Sequence, residues 1–266
     1  MYVLHLAFCG ADFHGWQIQL SDRSIQQTLR KALVHMFDTE DFTNPSGCGR
    51  TDQGVHAIEF LATVKAVREM PTDNMRMGLN SLLPRSIRVM KVERIEGYRD
   101  ARALVAGKQY RYLIARTDAL SPFLEHLVWQ SVYPLDTAPM RACLPHLTGT
   151  RDFKSFQASN TEIEETIRTI HRIEVQEKGP FIAIDVVGDG FLKHMVRILC
   201  GTLVAAAKGR IDPQELPAIL AARDRSRAGE TLPGKGLYLY RLFRDEESLR
   251  NATIAPFSTD MLWNCR

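Results

Sequence analysis

The sequence predicts an α+β protein of two lobes, and three observations carry that expectation. Apolar–polar alternation of the kind that makes strands recurs along the chain, helical periodicity with capping signals recurs too, and each half holds some of both. The 266 residues, 45% hydrophobic and 24% charged, are enough for a sizeable core in a soluble globular chain. Neither a short-period repeat nor a low-complexity segment interrupts it. The expected division is a lobe over 1–105, a second over 106–243, and a polar, weakly patterned tail over 244–266.

Residues 2–8, YVLHLAF, read as a strand, followed by the glycine-punctuated loop CGADFHGWQIQ. Ser24 with Gln27 three residues on forms a capping box, opening a helix whose apolar positions are 25, 29, 32, 33, 36 and 37. The loop GCGRTDQGVHA (47–57) comes next, and residues 58–66 alternate as a half-buried strand. Residues 86–92 and 108–115 continue the pattern, the latter placing Tyr110, Tyr112 and Ile114 on one face. In the second half, TIHRIEV and FIAIDVVG (181–188) predict neighbouring strands across QEKGP. A helix is expected from Phe191 to Ala207 with Gly209 past its end, and Asp212-Pro213 with Glu215 opens another. GLYLYRLF (236–243) is the last strong strand.

Several classes are excluded by what is missing. The longest apolar run, ILCGTLVAAA, is about half a membrane span, and YVLHLAF after Met1 has neither the basic region nor the cleavage site of a signal peptide, so a cytoplasmic location is expected. The five cysteines are scattered, odd in number and never in a CxxC pair, which argues against a disulfide framework or a zinc site. Without a P-loop or GxGxxG, neither a nucleoside triphosphate nor a dinucleotide is expected. Net charge is only +3, yet nine Lys/Arg stand against three acids between Arg85 and Arg116, and Lys193, Arg197, Lys208 and Arg210 cluster later. Such clusters are either solvated faces or a surface that tracks phosphates.

The 47–57 loop poses the sharpest question. A turn has uses for Gly and Asp, but not for Arg50 two residues before Asp52. An arginine beside a carboxylate favours the ionised acid, and an anion on a glycine-rich loop suits nucleophilic or base work. The competing role for Asp52 is plain turn formation. Tyr110 is a candidate stacking surface for a base, or simply core. Lys193 and Arg197, at i and i+4 with His194 adjoining, would share one side of a helix, with Arg197 turned to a carboxylate or to solvent. His14 and His56 fit structural roles. No second acid sits in a comparable setting, as a glycosidase would need.

Eight stretches together carry a resemblance: GADFHGWQIQ, GRTDQGVHA, NSLLPRSIRV, YRYLI, RDFKSF, TIRTI, FLKHMVRILCG and GKGLYL, running in order from about residue 2 to 243. In them the chain resembles the TruA-type tRNA pseudouridine synthases. The resemblance implies an α+β pseudouridine-synthase fold, with two similar lobes of mixed or antiparallel sheet and flanking helices around a basic cleft. It implies a cofactor-free isomerase that acts, usually as a homodimer, on uridines in the tRNA anticodon arm, cutting the C1′–N1 bond and rejoining the base through C5. Asp52 matches the family's catalytic aspartate, Tyr110 its active-site tyrosine and Arg197 the arginine that pairs with the aspartate. Arg50 matches the arginine that helps admit the flipped nucleotide, and Leu237 an apolar residue near the base. No metal is implied. The chain departs from the family pattern at Phe8 and Cys9, in ARALV (101–105) and at Lys108, none of which alters Asp52 or Tyr110. The physical needs agree, since a stacked base must be extruded at a cost of a few kcal/mol, with cations to hold phosphates and an aromatic ring to replace lost stacking. Two other classes are weighed: a tRNA-binding folding assistant without catalysis, and a nucleoside glycosidase.

Overall fold

The computed structural model describes residues 1–19, 23–39, 44–65, 68–97, 99–159, 161 and 163–259. In chain order the first elements are β1 (Tyr2–Phe8), α1 (Ile25–Phe37), β2 (Ser46–Gly47), β3 (His56–Val64), α2 (Thr72–Leu82) and β4 (Ile87–Arg94). Next come β5 (Gly107–Arg116), β6 (Trp129–Ser131), α3 (Thr137–Leu147), β7 (Gly149–Asp152), β8 (Ile167–Lys178) and β9 (Phe181–Gly188). The last are α4 (Met195–Ala207), α5 (Leu216–Ala222), β10 (Leu237–Phe243) and α6 (Glu246–Arg250). The α+β class is the one expected. Contacts divide the chain into two units: 1–106 with 238–244, and 107–237 with 245–266. Among the described residues no helix is long and apolar enough to cross a membrane.

The first unit is built on β1, which pairs antiparallel with β3 on one side and β4 on the other. β2 adds to β3 antiparallel, and β10 returns to it parallel, with Tyr238 opposite His56. A Glu59 carboxylate oxygen accepts the Leu242 N–H at 2.7 Å, a second tie between β10 and β3. The N-cap bond of the expected capping box forms, with Ser24 Oγ accepting from Gln27 N–H at 3.2 Å. Of the six apolar positions of α1, all but Met36 are buried. Met36 packs where Gly78 of α2 leaves room, since a Cβ there would meet Met36 Cε at 2.7 Å. The strand expected over 58–66 starts earlier, at His56, and ends at Val64; Ala66 lies outside the described residues.

The second unit carries a mixed sheet in which β9 lies between β5 and β8, β7 extends β8, and β6 joins β5 parallel. β8 and β9 are the hairpin read around QEKGP, but the turn itself is only Gly179-Pro180, with Gly179 at φ +59°, as a type II′ turn requires of its first central residue. α4 is buried at ten of its thirteen positions, which explains its near-continuous apolar sequence. It ends as expected at Gly209 in the left-handed region, but it starts at Met195 rather than Phe191, after His194 at φ +61°. Asp212 caps a 3₁₀ turn over Pro213–Glu215, which leads directly into α5. Beyond Arg244 the chain packs in this unit. Asp245 caps α6, and Leu249, Ala252 and Phe257 are buried; residues 260–266, Cys265 among them, lie outside the described residues.

Candidate active site

Asp52 sits where two backbones meet. The loop after β1 and the loop before β3 touch main chain to main chain: Trp16 N–H donates to Thr51 O at 3.1 Å and Gly54 N–H to Phe13 O at 3.2 Å. Glycines make that approach possible. A Cβ on Gly10 would stand 2.0 Å from Val55 O, and one on Gly15, already at φ +89°, 2.2 Å from Thr51 O. Asp52 then opens a four-residue turn closed by Val55 N–H on its carbonyl at 3.2 Å, with Gly54 at φ +76°, the value a type II turn demands of its third residue. Thr51 and Val55 are buried on either side while Asp52 is partly exposed, so the carboxylate stands at the surface of a rigid frame. Below it, Trp16 packs on Phe60 with ring centroids 4.4 Å apart, filling the space that Gly47 leaves. Among the described residues the buried Thr51 hydroxyl has no hydrogen-bond partner.

Arg50, the other half of the motif, is exposed. His56 is structural, as expected: it is buried, accepts the Gly10 N–H on Nδ1 at 3.1 Å, and stacks on Tyr238 at 4.6 Å. That bond leaves Nε2 as its protonated nitrogen in the neutral form.

Tyr110, Arg197 and Leu237 belong to the second unit. Tyr110 is buried, 9% exposed, and packs T-shaped against Phe191 with centroids 5.1 Å apart at 85°, so its ring is held by an aromatic contact. Its neighbour on the same face, Tyr112, is sealed. Burial pushes the Tyr112 phenol above its ordinary pKa, and the hydroxyl donates to Pro233 O at 2.9 Å. Gly236 lies flat on that ring, since a Cβ there would come within 2.8 Å of it, and this positions the buried Leu237 that follows. Arg197 is half-buried on the first turns of α4, where its Nε donates to Leu232 O at 2.6 Å. Because α4 begins at Met195, Lys193 precedes the helix, and the expected i, i+4 stripe of Lys193 with Arg197 does not exist.

The basic run from Arg85 to Arg116 is largely engaged within the protein. Lys91 pairs with Glu93 at 2.7 Å, Arg94 with Glu69, Arg102 with Asp100 at 3.0 Å, and Arg116 with Glu177 at 2.8 Å. Arg111 is buried on the face of β5 opposite Tyr110, where its Nε holds Asp185 at 2.9 Å and Gln109 Nε2 bonds the same carboxylate at 2.8 Å. Burial pushes the Asp185 carboxyl up from its ordinary value, and Arg111 and Gln109 pull it back. The counted positive charge is therefore mostly neutralised at short range. The fold gathers Lys193 and His194, already noted in the sequence, with residues of 158–159 and 224–231 that carry no such signal beyond Asp224-x-Ser226, an Asx-type cap.

A family model described as tRNA pseudouridine synthase matches residues 144–243. The tRNA pseudouridine synthase A of Bacillus pumilus is 37% identical over 240 residues, covering 90% of this chain and 97% of that protein. That of Bacillus subtilis is 36% identical over the same length and coverage. The one from a Thermoanaerobacter species is 36% identical over 233 residues, 88% of this chain and 95% of its own. Similarity of that depth, end to end on proteins of one description, means that the chain belongs to the tRNA pseudouridine synthase A family.

Proposed function

We propose that this chain isomerises uridine to pseudouridine in the anticodon arm of tRNA, with Asp52 as the catalytic group. The observation that carries the assignment of Asp52 is its setting: a partly exposed carboxylate on a turn fixed by main-chain contacts at Gly10 and Gly15. A preorganised charge of that kind need not reorganise during reaction. The reaction is redox-neutral. The C1′–N1 bond breaks, the uracil turns, C1′ bonds to C5, C5 gives up its proton and N1 gains one. Asp52 either attacks C1′ or takes a ribose proton, and both routes need the anion. Tyr110 offers a ring for stacking and a hydroxyl for the proton at C5, and its contact with Phe191 holds that ring in place. Arg197 is assigned the cation the family pairs with the aspartate, Arg50 the entry of the flipped nucleotide, and Leu237 an apolar contact to the base. The lobe division expected from the strand and helix pattern, a cytoplasmic location expected from the sequence, and the homodimeric state that the resemblance implies complete the reading.

The test is to map pseudouridine in tRNA transcripts incubated with the purified protein, and in tRNA from cells with and without its gene. Pseudouridine confined to the anticodon arm, present only with the protein, is expected. Modification elsewhere in the tRNA would overturn the target, and no modification would overturn the activity.

A further inference from the structure

The second unit contains a pocket of about 550 Å³ framed by Lys193 and Arg225, with the hydroxyls of Ser159, Ser226 and Thr231 on its walls. Arg225 is half-buried, and its guanidinium is tied to neutral acceptors: Nη1 donates to Ala228 O at 3.3 Å and Nη2 to Thr231 Oγ1 at 3.0 Å. Among the described residues no carboxylate pairs with it or with Lys193. The two Arg225 bonds replace part of the water that half-burial removes, but neither supplies the opposite charge that a partly desolvated cation favours. The acid in the lining, Asp224, is turned to another task, accepting from Ser226 N–H at 2.9 Å and Ser226 Oγ at 2.8 Å. One carboxylate so engaged stands against two cations.

The walls are built rather than loose. Ala158 N–H donates to Lys193 O at 3.0 Å, and Asp224 N–H to Ser155 Oγ at 2.9 Å. The 229–232 segment is clamped to α4: Gly229 N–H donates to Thr202 Oγ1 at 2.9 Å, and a Cβ on Gly201 would stand 1.9 Å from Glu230 O. This fixes the Arg225 fork before any ligand arrives. Two cations with the Ser159 and Thr231 hydroxyls around an open pocket suit a phosphodiester with its sugar, whereas an apolar ligand would find few partners there.

We propose that this pocket takes a backbone phosphodiester of the tRNA substrate, held by Lys193 and the Arg225 fork. The proposal rests on the tRNA reading above. Filter binding of tRNA against salt tests it, with the wild type, Lys193→Met, Arg225→Met and, as a control of equal charge loss at an exposed strand end, Lys178→Met. Lys193→Met is expected to weaken binding about tenfold at low salt and to lower the slope of log affinity on log salt by about one, while Lys178→Met leaves the slope alone. Lys193 is exposed, so its variant should melt with the wild type and decides the matter even where Arg225→Met unfolds. Slopes equal for the wild type and Lys193→Met overturn the proposal and leave the enzyme reading standing, because pseudouridine formation is scored separately. Saturable binding of inorganic phosphate that Lys193→Met abolishes, with tRNA slopes unmoved, overturns it in favour of a free-anion site. A wild type that binds no tRNA removes both.

Discussion

Asp185 and Asp52 each have an arginine nearby, and they have opposite fates. Asp185 lies mid-strand in β9, wholly buried, directly across from Arg111 of β5 and bonded to it at 2.9 Å. Asp52 opens a turn, partly exposed, two residues after the exposed Arg50. The chemical couple is the same, and what differs is the covering. Over Arg111 lies the chain beyond α6: its guanidinium sits 5.5 Å from the Phe257 ring and reaches Ala255 O at 3.5 Å. A carboxylate sealed that way can hold two strands in register but can meet no substrate. One on a rigid turn at the surface can do chemistry, and its removal should cost the fold little.

The largest effect expected from this contrast is on Asp52. Asp52→Asn keeps the shape and removes the anion, so pseudouridine formation should fall by roughly 10⁴-fold or more, measured in single turnover, with tRNA binding retained. Next comes Asp185's partner. Arg111→Met leaves a buried carboxylate without its cation and should cost about 3–5 kcal/mol by denaturant unfolding, while Arg111→Met with Asp185→Leu should regain most of it. If the single variant is as stable as the wild type, burial is not what separates the two aspartates.

Tyr110, next to Arg111 in sequence but on the opposite face of β5, sharpens the comparison within one strand. Tyr110→Phe should leave the melting temperature unchanged and slow turnover by roughly 10²–10⁴-fold, as loss of a positioned acid–base group does. A fully active variant would confine Tyr110 to stacking.

The smallest effect concerns another aspartate–arginine pair, at the surface. Asp100 is held down to about 2, first by the Arg102 side chain, with help from the Arg102 N–H and Ser46. A depressed carboxyl contributes stability above its unfolded pKa, about 3.9, and loses it as pH falls toward 2. Asp100→Asn should therefore flatten the stability profile only between about pH 4 and pH 2, by a fraction of a kcal/mol, because the pair is solvent-screened. A difference from wild type that persists unchanged below pH 2 would assign the effect to packing instead.

Local signals were legible where they were local in cause. Ser24 and Gln27 specify the start of α1 by a bond between near neighbours, and Gly179-Pro180 specifies the β8–β9 turn through their own backbone preferences. The main-chain geometry around Asp52 was legible as an excess of glycine, though which oxygens they admit was not. The start of α4 was misread because Phe191 and Leu192 continue the apolar periodicity, while the backbone is diverted at His194. α3 was passed over with Pro145 inside it, and α2 begins after Pro71 without a side-chain cap. Arg111 read as part of a basic surface because its covering, Phe257, lies 146 positions away in the chain. The Lys193–Arg225 pocket was invisible for the same reason: its walls come from three separated segments, and no periodicity links them.

The most direct measurement sets the two aspartates side by side. Asp52→Asn and Asp185→Asn are each followed by single-turnover pseudouridine formation on a tRNA transcript and by thermal melting of the same preparation. The account predicts a crossed result. Asp52→Asn melts with the wild type and forms no product, whereas Asp185→Asn melts well below it and, at a temperature where it is folded, forms product at a near wild-type rate. Appreciable turnover by Asp52→Asn would contradict the account at its centre.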